Sequence, residues 1–285
     1  MKQFRRAVSS ISAMLLAMIV FVAIGEAHDL FLRPRDFVAS PGATVDVRVL
    51  NGTFVKSEGA VTRNRLRDLS VVGPAGVSHP SDSTWSTAGN ESRWRVHVGD
   101  RGTYVLAASL APSTIRLTGE QFDAYLREEG LGRVAEARKQ QGIAAKPARE
   151  RYAKHVKALV RVIDRANRGR QPDDTAYRYV LGYPAELVPL EDPYRAPSGA
   201  VLRVRALVDG QPLAGHTLLA GGRTTTGGVI AERAVNTDSD GVARVRLSAR
   251  GTWYVKFIHM RAVPATAGDS VDYESKWATL TFARP

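Results

Sequence analysis

Short segments in which apolar and polar residues alternate restrict the fold of this chain more than any other feature. In a β-strand with one buried face, successive side chains point to opposite faces, which produces this alternation. The segment Thr44–Leu50 alternates in this way and is followed by the turn dipeptide Asn51-Gly52. Similar segments lie at residues 93–98, 103–108, 201–208, 251–258 and 277–282. The sequence therefore predicts a mainly β protein built from antiparallel β-sandwiches.

The region between about residues 118 and 168 departs from this pattern and predicts a helical insertion. Thr118 and Gln121 have the spacing of a capping box, in which two side chains satisfy exposed amides at a helix start. A second helix is predicted over residues 148–167, where most lysines and arginines lie off one apolar stripe. The stripe consists of Tyr152, Val156, Leu159, Val160 and Ile163. The insertion should therefore form a helical excursion from the first sandwich.

The N-terminus has the three parts of a secretory signal peptide. Basic residues (Lys2, Arg5 and Arg6) precede an apolar run from Ile11 to Ile24, and Gly25-Glu26-Ala27 follows. The apolar run is shorter than the roughly 20 residues needed to span a bilayer. We therefore expect cleavage after Ala27 and export to the periplasm, with no transmembrane segment in the mature chain. An uncleaved membrane anchor is the alternative.

These patterns predict three parts along the chain. Residues 1–27 are the signal peptide, residues 28–182 form an N-terminal sandwich with the helical insertion, and residues 183–285 form a C-terminal sandwich. The chain contains no cysteine, which excludes disulfides, thiolate metal sites and cysteine nucleophiles. The two predicted sandwiches must therefore be held together by their cores.

The charge balance limits the partners that can be expected. The formal net charge is +12, but export makes a nucleic-acid partner unexpected. Much of the basic surplus lies between Arg133 and Arg170, which favours a solvated helical face over a site for an anionic envelope surface. The sequence contains no Gly-x-Ser-x-Gly or His-Glu-x-x-His signature. We therefore expect a protein that is not an enzyme.

His28 is the residue with the clearest chemical potential. Cleavage after Ala27 would give this one residue both a free α-amine and an imidazole, which together can chelate a divalent transition metal. An α-amine titrates near pH 8, so a metal can displace its proton at modest cost near neutral pH. Nitrogen ligands suit nickel, cobalt, copper and zinc. A polar new terminus without any metal is the alternative interpretation.

Two further residues could complete such a site. His259 follows the predicted strand 251–258, and Glu274 precedes the last strand. A histidine and a carboxylate beside an N-terminal histidine would form a nitrogen–oxygen site. The alternative for His259 is a half-buried strand residue with a backbone partner.

Several segments, taken in order, resemble an exported family of unknown function, numbered 4198. They are Ala27–Pro34, Arg151–Leu159, Asp209–Gly215, Thr237–Gly241, Trp253, Ile258-His259-Met260 and Glu274–Phe282. The third and fourth segments also resemble those of transthyretin-like and carboxypeptidase-regulatory-like sandwiches, which indicates the fold expected for the second domain.

The resemblance implies a periplasmic protein associated with nickel or cobalt uptake, with His28 as first ligand and His259 and Glu274 as further ligands. It also implies a membrane metal-uptake transporter as partner. The leading hypothesis is thus a non-enzymatic metal-binding protein. The alternatives are a structural or interaction module of the envelope, and a copper enzyme with a histidine brace formed by His28 and His259.

Overall fold

The protein is described by a computed structural model that covers residues 28–164, 174–197, 199–264 and 270–285. The predicted signal peptide over residues 1–27 lies outside the described residues. The described chain is mainly β, and its sheets pack as open sandwiches. The fold class predicted from the alternating segments is therefore confirmed.

The elements are numbered in chain order. The strands are β1 (Asp29–Pro34), β2 (Val38–Ala39), β3 (Thr44–Gly52), β4 (Leu66–Gly73), β5 (Gly76–Ser78), β6 (Trp85–Ala88), β7 (Glu91–His97), β8 (Gly102–Leu110), β9 (Ser113–Leu117), β10 (Ala148–Val162), β11 (Ala185–Pro189), β12 (Val201–Val208), β13 (Gln211–Pro212), β14 (Thr217–Thr224), β15 (Val229–Asn236), β16 (Val242–Arg246), β17 (Gly251–Ala262) and β18 (Tyr273–Arg284). The α-helices are α1 (Gly119–Glu128) and α2 (Gly132–Gln140). Short 3-10 helices lie at Arg63–Arg65, Asp82–Thr84, Ala176–Arg178 and Pro193–Arg195.

Within the described ranges the strands form three sheets. The central sheet has the order β15-β14-β17-β18-β10-β8-β4-β5, and β2 and β9 also pair with β10. The N-terminal sheet has the order β1-β3-β7-β6, and the C-terminal sheet has the order β11-β12-β13 with β16 against β12. Pairing is antiparallel except where β10 runs parallel to β18 and to β2.

Both faces of the central sheet are covered. One face, here called the N-terminal face, carries Val156 and Trp277 and packs against the N-terminal sheet and the two helices. The other, the C-terminal face, carries Phe257 and Leu280 and packs against the C-terminal sheet. Because side chains alternate along a strand, neighbouring residues of β10, β17 and β18 enter different layers. This alternation decides which candidate residues can meet.

The central sheet joins the two domains predicted from the sequence. β10 belongs to the predicted N-terminal domain and β18 to the C-terminal one, yet they pair from Glu150 opposite Tyr273 to Ala158 opposite Thr281. The two halves therefore share one hydrogen-bonded sheet. A domain division at residue 182 stays a prediction.

The helical insertion is only partly as predicted. The capping box is present, since Thr118 Oγ1 accepts from the Gln121 amide at 3.2 Å and Gln121 Oε1 accepts from the Thr118 amide at 3.0 Å. The second predicted helix is wrong, because residues 148–162 form the long strand β10. None of the helices in the described part of the chain is long and apolar enough to cross a membrane.

The charged residues of β10 resemble those of an exposed helix in the sequence, but in the structure several of them are buried. The sequence predicts a solvated face for its cations, but Lys157 is buried and lies 2.9 Å from Glu186. Arg161 is also buried and lies 3.3 Å from both Asp174 and Asp192. The solvated-face interpretation of this basic segment is therefore wrong for β10. A central strand is buried on both faces, so a charged side chain on it destabilises the fold unless a buried group of opposite charge lies beside it.

Candidate functional site

The first strand holds His28 on the N-terminal face of the central sheet. Strand β1 pairs with β3, and Thr279 Oγ1 donates a hydrogen bond to the Leu30 carbonyl at 2.7 Å. The ammonium of Lys154, which is buried on β10, donates a hydrogen bond to the carbonyl of His28. His28 is thus anchored at the start of a paired strand.

Lys154 connects His28 with the end of strand β3 through hydrogen bonds. Its ammonium also donates to Asn51 Oδ1 at 3.2 Å and lies 5.0 Å from the centre of the Trp277 ring. Burial is the largest effect on this group and lowers the pKa of Lys154 to about 8. The cation is therefore held by two polar acceptors and an aromatic ring rather than by water.

The loop after β3 places a carboxylate beside the imidazole of His28. His28 Nδ1 lies 3.3 Å from Glu58 Oε2, and the two side chains are 24% and 33% exposed. The loop turns back on itself, since the Glu58 amide donates to the Asn51 carbonyl at 2.9 Å. A Cβ at Gly52 would lie 2.5 Å from the Lys56 carbonyl oxygen. Glycine at position 52 therefore permits the turn that brings Glu58 to His28.

A cavity of about 450 Å³ lies beside His28. Strand β1, the loop after β3, helix α1 and strand β17 form its walls. Its charged lining is acidic, with side chains from Asp29, Glu58, Glu128 and Glu129. Of the described residues, no lysine or arginine lines it. In a chain with a formal net charge of +12, this acidic lining is a local exception.

Lys256 on β17 neutralises part of the negative charge of the cavity lining. Its Nζ lies 2.5 Å from Asp29 Oδ2, 2.8 Å from Glu129 Oε2 and 3.7 Å from Glu232 Oε2. Burial and the charge of Asp29 raise the pKa of Glu129 to about 7, against the opposing effect of Lys256. The other oxygen of Asp29, Oδ1, is buried without a hydrogen-bond partner among the described groups. The acidic cluster is therefore only partly balanced by Lys256 and, at longer range, by Lys154.

Three aromatic rings form the apolar wall of the cavity. Phe31 and Phe54 have ring centres 5.2 Å apart, and Tyr254 lies 5.1 Å from Phe31 and 4.8 Å from Phe54. The hydroxyl of Tyr254 donates to Glu232 Oε2 at 2.9 Å, which fixes the ring. The cavity thus combines an acidic floor with an aromatic wall.

His259 lies on the opposite side of the central sheet. It pairs with Lys276 across β17 and β18, and its ring centre is 6.0 Å from that of His216. Burial, and then the charge of Lys276, lowers the pKa of His259. The immediate surroundings of His259 are therefore another imidazole and the ion pair of Lys276 with Asp209, which together provide no surplus of negative charge.

Glu274 also lies on the C-terminal face and is already paired. Arg151 Nε donates to its Oε1 at 2.9 Å, and Arg261 forms an ion pair with its Oε2. The hydrogen bond from Arg151 is the main cause that lowers the pKa of Glu274. Both carboxylate oxygens are therefore engaged by arginines.

The three residues predicted as metal ligands are thus not brought together. Side chains alternate along β17 and β18, and the contact of His28 with Lys154 places it on the N-terminal face, across the sheet from His259 and Glu274. A histidine brace between His28 and His259 is excluded by this arrangement. Among the residues that the structure describes, no three His, Asp or Glu side chains could hold a metal ion. Metal binding at His28 would accordingly depend on its α-amine.

Sequence reasoning missed the carboxylates around His28. Glu58 follows the predicted turn at Asn51-Gly52, and pairing of β1 with β3 would have pointed to this loop. Glu129 comes from the end of α1, far along the chain, and no local pattern connects it with His28. Only the register of the sheets brings these groups together.

Comparison with known proteins identifies a family. The family described as "Domain of unknown function (DUF4198)" matches residues 25–261. No curated protein matches the sequence.

The similar solved structures include an Escherichia coli adhesin, FdeC, with 13% identity over 91% of this chain and 65% of that chain and a TM-score of 0.23. Others are the BSP domain of a biofilm-associated protein (10% identity, 89% and 29%, TM-score 0.21) and trypsin-activated alpha-2-macroglobulin from Escherichia coli (12% identity, 92% and 16%, TM-score 0.22). The chain spans less than two thirds of the length of each of these proteins. Because the family match covers most of the sequence, the chain belongs to the DUF4198 family.

Proposed function

We propose that the mature protein binds a divalent transition metal through His28 and delivers it for uptake without chemical conversion. The observation that supports this proposal is the contact between His28 Nδ1 and Glu58 at the edge of an acidic cavity. The mature terminus predicted from the sequence would add a free α-amine at the same residue. Amine, imidazole and carboxylate together form a nitrogen–oxygen ligand set.

The spacing of the two side chains fits this ligand set. Zinc binds imidazole nitrogen and carboxylate oxygen at about 2.0–2.2 Å, so two such ligands at tetrahedral or right angles lie roughly 3.0–3.4 Å apart. The observed separation of His28 Nδ1 from Glu58 Oε2 is 3.3 Å. Nδ1 is also the ring nitrogen nearer the backbone, so it can close a small chelate ring with the α-amine.

Electrostatics around the ligand set favour a cation. Asp29 and Glu129 lie in the same cavity, where Lys256 forms ion pairs with both of them and Lys154 acts on both at longer range. A group of carboxylates in a partly buried site raises the local cation concentration and strengthens binding. Since a free α-amine titrates near pH 8 and must lose its proton to bind metal, affinity should rise as the pH approaches 8.

The family resemblance favours nickel or cobalt as the ion, with copper or zinc also compatible with these ligands. The signal peptide and the resemblance support a periplasmic location and a membrane metal-uptake transporter as recipient. The absence of a catalytic signature in the sequence supports a carrier rather than an enzyme.

The test is calorimetric titration of two proteins that differ by one residue. One begins at His28, and the other retains Ala27 in front of it. We expect nickel or cobalt to bind the first at least about tenfold more tightly, a difference of about 1.4 kcal/mol. Equal affinities would contradict the proposal, because the extra residue removes the chelating amine and leaves every side chain in place.

A matched variant tests the position of the site. His28→Ala should remove the binding, and His259→Ala should leave it unchanged, because His259 lies on the other face of the sheet. Mass spectrometry of the exported protein checks the premise, since the mature chain must begin at His28.

A further inference from the structure

We further propose that the cavity receives the metal as a complex with a small amino-acid chelator, neutral or positive overall, and not as the bare ion. This inference rests on the proposed metal binding at His28 and names the form of the ligand. The size, wall and charge of the cavity each support it.

The cavity is too large for an ion alone. Its volume is about 450 Å³, whereas one water molecule occupies about 30 Å³ of liquid. Pockets that bind small organic molecules have volumes of about 300–1,000 Å³. An ion held at the edge by His28 and Glu58 leaves most of this space for groups carried by the metal.

The apolar part of the lining suits an organic ligand. Aromatic rings of Phe31, Phe54 and Tyr254 line the cavity, and Leu117 and Ala124 extend the apolar lining. Such a surface offers no ligand atoms to a hydrated ion. It can instead stack against a planar ring or an aliphatic chelate, which gains free energy by leaving water.

The charge of the lining selects between chelators. The carboxylates of Asp29, Glu58 and Glu128 repel a complex with net negative charge, such as a metal citrate. A metal–histidine complex is neutral or positive and carries a planar imidazole. The geometry therefore favours amino-acid chelates over polycarboxylate chelates.

The experiment compares three forms of nickel on the protein that begins at His28. Nickel chloride alone, nickel with one equivalent of L-histidine and nickel with one equivalent of citrate are titrated in the calorimeter, so that each chelate leaves coordination positions open for His28 and Glu58. We expect the histidine complex to bind at least as tightly as bare nickel and the citrate complex to bind at least about tenfold less tightly. If L-histidine strips nickel from the protein as it would from a bare-ion site, the inference is overturned.

A cavity-filling variant separates this inference from the proposed function. Ala124 is exposed on α1 and lines the cavity, so Ala124→Trp should occupy the space of the chelator. We expect it to weaken the histidine complex about tenfold and to change bare-nickel binding by less than about twofold. Ala137→Trp is the matched control, because Ala137 is exposed on α2 and lies outside the cavity.

The outcomes are distinguishable. Loss of bare-nickel binding in Ala124→Trp to the same extent as chelate binding would overturn the inference, because the variant would then block the ion itself. Failure of the wild-type protein to bind bare nickel would instead contradict the proposed role of His28.

Discussion

The two faces of the central sheet place their histidines in different electrostatic surroundings. On the N-terminal face, His28 lies beside Glu58 and an acidic cavity. On the C-terminal face, His259 lies beside His216 and Lys276. Both histidines belong to family-like segments of the sequence, but of the two only His28 lines the acidic cavity. The difference shows that the face of a strand, rather than the residue type, decides which charged groups surround each histidine.

Replacing one lysine on each face should give the largest difference between the faces, measured as the loss in the free energy of unfolding. Lys256→Met leaves Asp29 and Glu129 buried without their cation, so we expect a loss of about 3–5 kcal/mol in the free energy of unfolding. Lys276→Met removes a partly exposed pair with Asp209 and should cost about 0–1 kcal/mol. Urea denaturation at pH 7 measures both. Similar losses for the two variants would break the comparison between the faces.

The buried histidine of the C-terminal face should make stability depend on pH. Burial, and then the charges of Lys276 and Arg67, lowers the pKa of His155 to about 4, and Ser109 Oγ lies 2.9 Å from its Nδ1. The unfolded chain binds this proton near pH 6.5 and the folded chain does not, so stability is complete above pH 6.5 and falls as the pH drops toward 4. The loss should reach about 3 kcal/mol.

His155→Gln keeps a polar partner for Ser109 and lacks the titrating group. Its free energy of unfolding should therefore vary less than that of the wild type between pH 4 and pH 6.5. Parallel curves for the two proteins would show that His155 does not carry the effect.

The turn that presents Glu58 should be sensitive to a single methyl group. A Cβ at Gly52 would lie 2.5 Å from the Lys56 carbonyl oxygen, so Gly52→Ala should cost about 1–3 kcal/mol and weaken metal binding. A Cβ at Gly59 would lie 3.6 Å from its nearest neighbour, Asn51 Nδ2, and Gly59→Ala should therefore change neither quantity appreciably. Denaturation and metal titration of both variants check this expectation.

The smallest contrast concerns the two candidate carboxylates. Glu58→Gln should weaken metal binding about tenfold, about 1.4 kcal/mol, because it removes a charged ligand. Glu274→Gln should leave metal binding unchanged and cost about 0–1 kcal/mol of stability at pH 7 through its arginine pairs. The hydrogen bond from Arg151 lowers the pKa of Glu274, so that cost should disappear as the pH falls below the folded pKa. A larger effect of Glu274→Gln than of Glu58→Gln on metal affinity would reverse the assignment.

Local sequence patterns predict the strands whose residues alternate between a buried face and a more exposed face. The alternation at Thr44–Leu50 and at residues 201–208 corresponds to β3 and β12, and the capping box at Thr118 begins α1. These features depend on neighbours in sequence. They could therefore be recognised without knowledge of the fold.

Strand β10 could not be recognised in the same way. Its cations are buried because Glu186, Asp174 and Asp192 reach them from segments that lie later in the chain. The same limit applies to the candidate site. His28 was found from the cleavage pattern, but its partner Glu58 depends on a loop geometry and on the pairing of β1 with β3. His259 and Glu274 lie inside β17 and β18, whereas the sequence predicts them outside the strands, and the face they occupy depends on sheet packing.

Crystals of the protein that begins at His28, grown with nickel, would test the central claim most directly. An anomalous difference map at the nickel edge locates the ion without reference to any variant. The account predicts a peak within bonding distance of the α-amine and Nδ1 of His28, with Glu58 on the same ion. A peak between His216 and His259, with none at His28, would contradict it.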